Sequence, residues 1–217
     1  MTEKVDVYYL TFDGTDRDLR MQERFKKLDL NVRKICGQRS GDGCMLGHLE
    51  MIKTFLETST KEFGVFLEDD VYIHKEFKER ADTLTGLILE KDLDILLIGY
   101  LMTHAPYGCH WLSQIAEKDG ITVHSYPEDT WGTQGYILTR PYAMYVYNKY
   151  NKWYMDNCET YSLVHFKSDW TIVKRGRRAL IYPMLCIEEG DVVEGHAGQT
   201  AFHRGTTDFH YKPDLYY

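Results

Sequence analysis

The 217-residue chain is 43% hydrophobic and 27% charged, which is the composition of an ordinary soluble globular protein with a substantial core. Its formal net charge of −7 argues against nucleic-acid binding, because phosphate backbones are bound through clustered Lys and Arg. The five cysteines have no Cys-x-x-Cys spacing, so the sequence indicates reduced thiols rather than a disulfide framework or a zinc site. No apolar run approaches the length of a membrane span, and the N-terminus lacks a signal-peptide pattern. We therefore expect a cytoplasmic protein or one domain of a longer protein.

The first hundred residues alternate between segments typical of strands and segments typical of helices. β-branched and aromatic residues predict a strand over 5–12, Thr15 can cap a helix over 16–28, and a short strand follows at 31–35. A glycine-rich loop at 37–44 opens a helix through residue 58, and apolar residues at helical spacing predict another over 75–90. The apolar runs 63–67 and 94–99 suit strands that are buried on both faces. This alternation predicts an α/β fold with a mostly parallel sheet and covering helices.

The second half of the chain is less regular. The pattern predicts strands over 121–125, 130–139 and 179–184, a helix capped by Thr139 and another helix that begins with Ser168 as its cap. The rest of 100–125 reads as loop. The tail at 194–210 is rich in Gly, Thr and His and has no apolar period. We expect the tail to be a mobile loop that closes over a ligand, since little burial would hold it in place.

Three consecutive carboxylates, Glu68, Asp69 and Asp70, directly follow the apolar run 63–67; we call them the acidic triplet. Ligands of parallel α/β sheets bind beyond the carboxyl ends of the strands, which is where the triplet falls. Carboxylates this close repel one another unless a cation lies among them. Mg²⁺ and Mn²⁺ are typically held by carboxylates together with substrate phosphates. The triplet therefore indicates a metal site that receives a phosphorylated substrate, and the alternative is an inert, solvated turn.

Two other features near this edge could bind an anion. Arg17 and Arg20 lie on one face of the first helix, close to its beginning, and could hold a diphosphate or simply form a solvated face. The loop at 37–44 leads into a helix N-terminus, a ready anion site, although it matches neither the P-loop nor the dinucleotide fingerprint. His48, one turn into that helix, could take part in binding or be a structural histidine.

Five motifs follow one another between residues 5 and 140. They are the opening strand followed by Thr15-Asp-Arg-Asp-Leu-Arg20, then Gly43-Cys-Met-Leu-Gly-His-Leu49, Phe66-Leu-Glu-Asp-Asp-Val71, Asp94-Ile-Leu-Leu-Ile-Gly99 and Trp131-Gly-Thr-Gln-Gly-Tyr-Ile-Leu138. In this order they resemble glycosyltransferase family 25, which includes lipooligosaccharide and collagen hydroxylysine galactosyltransferases. One departure is Gly47, where the family commonly has Ser.

The resemblance implies a GT-A fold and an inverting, Mn²⁺- or Mg²⁺-dependent hexosyltransferase. The donor would be a UDP-sugar of the UDP-glucose or UDP-galactose type, and the acceptor a hydroxyl of a glycan or glycoprotein. The resemblance also implies that Asp70 is the primary metal ligand, supported by Asp69, and that Glu68 and Asp69 orient the ribose or the metal's water shell. A histidine near the chain end would join the metal; His196 is the nearest match, with His203 and His210 as rivals.

The chain is then expected to be one GT-A domain. It would comprise a nucleotide-sugar-binding half (1–100), an acceptor-side half (101–195) and a closing tail (196–217). The residues predicted to bind the donor nucleotide are Leu10, Thr11, Asp13, Arg17, Arg20, Gly43, His48, Glu68 and Asp69.

Inverting transfer needs one base that takes the proton of the acceptor hydroxyl. Asp169 is the predicted base, since it opens a helix next to Trp170, a suitable sugar platform. The family also tends to have an acidic residue at this helix start. Asp129 and Glu159 are rivals. Alternatively, Asp169 only complements the positive end of the helix dipole.

Two other classes of function stay open. A metal-dependent phosphoester hydrolase would use the same triplet together with a second acidic cluster, for which Glu188, Glu189 and Asp191 in a turn-like segment are the candidates. A non-catalytic sugar-binding relative would be expected to lose the triplet, which is intact here.

Overall fold

A computed structural model of the chain describes residues 4–38, 42–107, 109–126, 130–190 and 196–217. The strands are β1 (Val5–Thr11), β2 (Val32–Cys36), β3 (Phe63–Leu67), β4 (Val71–Ile73), β5 (Ile95–Leu101), β6 (Ser113–Lys118), β7 (Ile121–Ser125), β8 (Trp131–Thr139), β9 (Arg178–Tyr182) and β10 (Cys186–Glu188). The helices are α1 (Asp16–Lys27), α2 (Gly43–Thr58), α3 (Phe77–Glu90), α4 (Arg140–Lys149), α5 (Lys152–Asn157), α6 (Ser168–Thr171) and α7 (Ala197–His210).

Within the described ranges, eight strands form one sheet in the order β2-β1-β3-β8-β5-β9-β7-β6, and β4 pairs with β10 separately. β1 is parallel to its neighbours β2 and β3, and β5 is parallel to β9. β8 is antiparallel to β3 and β5, and β7 is antiparallel to β6 and β9. All strands of this sheet except β7 and β8 therefore run in one direction, which confirms the predicted mostly parallel α/β fold.

Helices cover both faces of the sheet because successive strand residues point to opposite sides. Tyr8 and Phe66 belong to the core that packs against α2 and α4, whereas Val7 and Val65 belong to the core that packs against α1 and α3. This two-sided burial explains why β3 and β5 are almost continuously apolar.

The predicted caps fix where α1 and α4 begin. The Thr15 hydroxyl accepts a hydrogen bond from the Asp18 backbone N–H at 3.2 Å, and the Thr139 hydroxyl accepts one from Tyr142 N–H at 3.4 Å. Both helices start immediately beyond a strand end or turn, as expected from N-cap chemistry. The α1 cap places Arg17 at the carboxyl end of β1.

Three local predictions are wrong. Residues 197–210 form helix α7 rather than a loop; the helix buries the small side chain of Thr206 together with His210, so it packs without an apolar stripe. β6 lies where a loop was predicted. The strand was missed because its side chains at the sheet edge are largely exposed and give no apolar pattern. The N-cap of α6 is Lys167, not Ser168, and α6 has only four residues.

Some predictions fall outside the described residues: part of the loop at 37–44, Asp129, Asp191 and the beginning of the tail before residue 196. Among the described helices, none combines the length and apolar character that crossing a membrane requires.

Candidate active site

The topology brings the acidic triplet to the point where the strand order reverses. From β1 the chain reaches β2 on one side and then β3 on the other, and a crevice at the carboxyl ends of such strands is the usual ligand site of open α/β sheets. The amino end of β8 lies beside this crevice, since the Glu68 N–H donates to the Gln134 carbonyl at 3.1 Å. Thr11, the triplet and the first residues of β8 therefore meet at one sheet edge.

The guanidinium of Arg17 contacts both Asp69 and Asp70. The Thr11 hydroxyl donates to Asp69 Oδ2 at 2.6 Å. Arg17 Nη1 lies 3.5 Å from Asp69 Oδ1 and 3.1 Å from Asp70 Oδ2. Because one guanidinium nitrogen contacts both carboxylates, their oxygens face a common position that suits positive charge.

The carboxylates around Asp70 bring more negative charge than Arg17 can balance. Its Oδ1 atom is buried and has no hydrogen-bond partner among the described residues. Burial, together with the neighbouring Glu68 and Glu188 carboxylates, raises the pKa of Asp70 well above its ordinary value despite Arg17. A buried carboxylate of this kind gains from a second cation, so these residues fit a divalent ion with oxygen ligands.

Glu68 is held by a buried network. His48 is fully buried; its Nε2 lies 3.1 Å from Glu68 Oε1 and its Nδ1 lies 2.8 Å from the Tyr136 hydroxyl. The Thr133 hydroxyl donates to the same Glu68 oxygen at 2.5 Å. Burial alone would raise the pKa of Glu68, but the hydrogen bonds from His48 and Thr133 outweigh it and lower that pKa. Glu68 is therefore an ionised carboxylate of fixed orientation.

Arg20 is paired with a carboxylate from the other end of the chain. It contacts Glu189 through two hydrogen bonds of 3.1 and 2.5 Å, and Arg24 Nη1 approaches the same carboxylate at 2.6 Å. The Glu189 N–H donates to the Asp70 carbonyl at 2.7 Å, which ties the end of β10 to the triplet. The predicted diphosphate role of Arg20 stays a prediction.

The three candidate histidines occupy different surroundings. His203 Nδ1 lies 2.7 Å from Glu188 Oε1, and Glu188 is the carboxylate that helps to raise the pKa of Asp70. His210 Nε2 contacts the Met102 carbonyl at 2.8 Å. His196 is exposed as the N-cap of α7. The fold thus brings His203 into contact with Glu188, a carboxylate that acts on Asp70. A metal-binding role for His196, His203 or His210 stays a prediction.

Asp169 lies beside a pair of indoles at the amino end of β8. Its Oδ1 accepts a hydrogen bond from Gly132 N–H at 2.9 Å. Burial raises the pKa of Asp169, with a smaller contribution from Glu68. The rings of Trp131 and Trp170 meet edge to face at 5.2 Å, and Lys174 Nζ lies 3.6 and 3.8 Å from their centres. Of the rival bases, Glu159 is exposed and Asp129 lies outside the described residues.

The remaining predicted nucleotide ligands are Leu10, Asp13 and Gly43, and their role in binding stays a prediction. Leu10 packs against α2, where a Cβ at Gly47 would come within 2.5 Å of Leu10 Cδ1; a serine at that position would require Leu10 to move. Asp13 is exposed and forms an ion pair with Lys34. Gly43 is the buried first residue of α2.

Sequence reasoning missed Thr133 and Tyr136 as site residues and placed Glu188 in a turn-like segment, although it ends strand β10. For Thr133 and Tyr136 a signal exists: polar groups in a strand that is otherwise buried must find hydrogen-bond partners. For Glu188 the signal is tertiary, since β10 is recognised only through its pairing with β4.

Comparisons with known proteins agree with this architecture. The model of glycosyltransferase family 25 (LPS biosynthesis protein) matches residues 38–161, more than half of the chain. Among curated proteins there is no sequence match. The fold is similar to mannose-1-phosphate geranyltransferase from Thermus thermophilus, with a TM-score of 0.50 and 11% identity over 82% of this chain and 73% of that one.

Two further solved structures are more distant in shape. A197 from STIV has a TM-score of 0.49 and 12% identity over 84% of this chain and 83% of that one. A glycosyltransferase involved in the glycosylation of the major capsid of PBCV-1 has a TM-score of 0.42 and 12% identity over 74% of this chain and 76% of that one. Together with the family match, the Thermus likeness confirms the predicted GT-A type of α/β fold.

Proposed function

Because this chain belongs to glycosyltransferase family 25, we propose that it transfers a hexose from a UDP-sugar to a hydroxyl of a glycan or glycoprotein, with Mn²⁺ or Mg²⁺ and with inversion at the anomeric carbon. The observation that carries the proposal is the crowded, buried carboxylate of Asp70, whose Oδ1 has no hydrogen-bond partner among the described residues. This carboxylate lies at the crevice where α/β folds bind nucleotides.

Asp70 and Asp69 would hold the ion, since their oxygens already face one common cationic atom of Arg17. Glu188 and His203 extend the same cluster from the C-terminal part of the chain. When bound, the ion supplies Lewis-acid stabilisation of the negative charge on the departing nucleoside diphosphate. The carboxylate oxygens of Asp69, Asp70 and Glu188 match the preference of Mg²⁺ and Mn²⁺ for oxygen ligands.

Arg17 and Glu68 would orient the donor. The Arg17 side chain is 39% exposed, so its guanidinium can turn towards a diphosphate once another cation neutralises the two aspartates. Guanidinium groups bind phosphate oxygens through paired hydrogen bonds. Glu68, ionised and fixed by His48, accepts hydrogen bonds from the ribose hydroxyls. Donor recognition would thus use one positive and one negative group.

Asp169 would be the base. One of its carboxylate oxygens is held by Gly132 N–H, which leaves the other to take the proton of the acceptor hydroxyl. Its raised pKa brings the group closer to the operating pH, which favours general base catalysis. The indoles of Trp131 and Trp170 lie next to it. Lys174 covers one face of each ring, and the remaining surface would offer a sugar an apolar area with a polar edge.

The experiment is an assay of hexose release and transfer from a panel of UDP-sugars with Mn²⁺, comparing wild type with Asp70→Asn. Asp29→Asn is the matched control, since Asp29 is an exposed carboxylate whose positive φ of 50° suits Asn. We expect at least a hundredfold loss in Asp70→Asn, no loss in Asp29→Asn and no activity after chelation. Full activity of Asp70→Asn in chelator would contradict the proposal. Cleavage of simple phosphoesters without sugar transfer would support the hydrolase alternative instead.

A further inference from the structure

Cys44, His48 and Glu68 bring a thiol, an imidazole and a carboxylate together at the beginning of α2. One donor atom from each lies within 4.8 Å of the other two. Cys44 and His48 are four residues apart and therefore share one face of the helix, while Glu68 approaches from the end of β3. Cys44 is exposed, so an ion can reach the cluster from solvent.

We propose that these three side chains form a second metal site, separate from the carboxylates of Asp69 and Asp70, that binds Zn²⁺ and keeps its fourth position open. Thiolate, imidazole and carboxylate are the three ligand types of zinc, and the thiolate makes the set softer than the oxygen ligands that Mg²⁺ and Mn²⁺ select. The proposal goes beyond sugar transfer, which has no need of a sulfur ligand. It uses Glu68 Oε1, the oxygen that His48 and Thr133 contact, and leaves the other carboxylate oxygen of Glu68 for the ribose contact proposed above.

The geometry of the imidazole and the carboxylate already suits zinc. His48 Nε2 and Glu68 Oε1 are 3.1 Å apart. Two ligand atoms about 2.0–2.1 Å from a tetrahedral zinc ion are separated by roughly 3.3 Å. An ion can therefore replace the hydrogen bond between His48 and Glu68 with little displacement of either side chain.

The side chains that hold His48 and Glu68 in place are also typical of a metal site. The second ring nitrogen of His48 contacts the Tyr136 hydroxyl at 2.8 Å, and the Thr133 hydroxyl holds Glu68 Oε1 at 2.5 Å. Such contacts fix the ring and the carboxylate in place and commonly account for a tenfold to hundredfold gain in metal affinity. Cysteine spacing could not reveal this site, because its ligands come from a helix and a neighbouring strand.

The test is a Co²⁺ titration of the chelator-treated full chain, without substrate, followed by displacement with Zn²⁺. A sulfur-to-cobalt charge-transfer band reports only ions that are bound to a cysteine. We expect this band to saturate at about one equivalent of Co²⁺, to disappear on adding Zn²⁺ and to be absent in Cys44→Ser. The Zn²⁺ affinity of Cys44→Ser should be at least tenfold lower than that of wild type. Cys36→Ser removes another exposed thiol and should keep the band, as should Asp70→Asn.

No saturable charge-transfer band in wild type would overturn the proposal. A band of full size in Cys44→Ser, or a band lost equally in Cys36→Ser, would overturn it as well. Because no sugar nucleotide is present, these outcomes do not depend on the transferase activity proposed above.

Discussion

Tyr136→Phe tests whether the buried network positions Glu68 for the donor. The substitution keeps the ring, which stacks on Phe66 at 5.3 Å, and removes only the hydroxyl that lies 2.8 Å from His48 Nδ1. Both partners are fully buried, so the imidazole nitrogen loses its partner and finds no water in exchange. Leaving such a group unsatisfied costs about 1–3 kcal/mol of stability. The same imidazole holds Glu68, whose orientation should loosen.

Tyr100→Phe is the matched control. Its hydroxyl is also buried and donates to the Ile181 carbonyl at 2.9 Å, away from the triplet. Urea unfolding should show a loss of about 1–3 kcal/mol in both variants. Calorimetric titration with UDP and Mn²⁺ should show roughly tenfold weaker binding, about 1.4 kcal/mol, in Tyr136→Phe alone. Equal UDP affinity in the two variants, or no loss of stability in Tyr136→Phe, would refute the reasoning.

Substitutions at Asp169, at Asp18 and at two glycines give further predictions. Asp169→Asn should lower transfer about a hundredfold or more and leave the dissociation constant of UDP unchanged; unchanged turnover would remove this residue from the mechanism. Asp18 is buried, but hydrogen bonds outweigh the burial and lower its pKa to about 2, so Asp18→Asn should lose about 2 kcal/mol at pH 7. The difference in the free energy of unfolding between wild type and Asp18→Asn should vanish as the pH falls from about 4 to 2. A difference that stays constant over this pH range in urea unfolding would contradict the prediction. Gly86→Ala should stabilise α3 by about 0.5–1 kcal/mol, since nothing lies within 4 Å of the added Cβ. Gly99→Ala should destabilise the protein by about 1–3 kcal/mol, because its Cβ would lie 2.7 Å from the Cys186 carbonyl. The reverse order of the two melting temperatures would contradict both expectations.

Most of the fold could be predicted because its signals are local. The buried strands β3 and β5 are short apolar runs, and Thr15 and Thr139 cap the helices that they were predicted to cap. Helix α7 was missed because it is held by Thr206 and His210 rather than by an apolar stripe, and contacts of that kind exist only in the folded chain.

In the candidate site, too, some residues could be predicted from the sequence and others could not. The acidic triplet could be found in the sequence because its members are adjacent and follow a buried strand. Its partners could not be found so easily: His48 and Tyr136 are 88 residues apart, and Arg20 and Glu189 are 169 apart. Such contacts depend on strand order, which the local pattern does not specify.

Thermal unfolding of wild type and Asp70→Asn with UDP, in the presence and absence of Mn²⁺, tests the central claim most directly. A ligand at a hundred times its dissociation constant stabilises the folded state by about 2.7 kcal/mol, which for a chain of this size raises the melting temperature by roughly 5–10 °C. We predict this shift for wild type only when UDP and Mn²⁺ are both present, and its loss in Asp70→Asn. An equal shift without the metal, or an undiminished shift in Asp70→Asn, would contradict a metal-dependent nucleotide-sugar site at the acidic triplet.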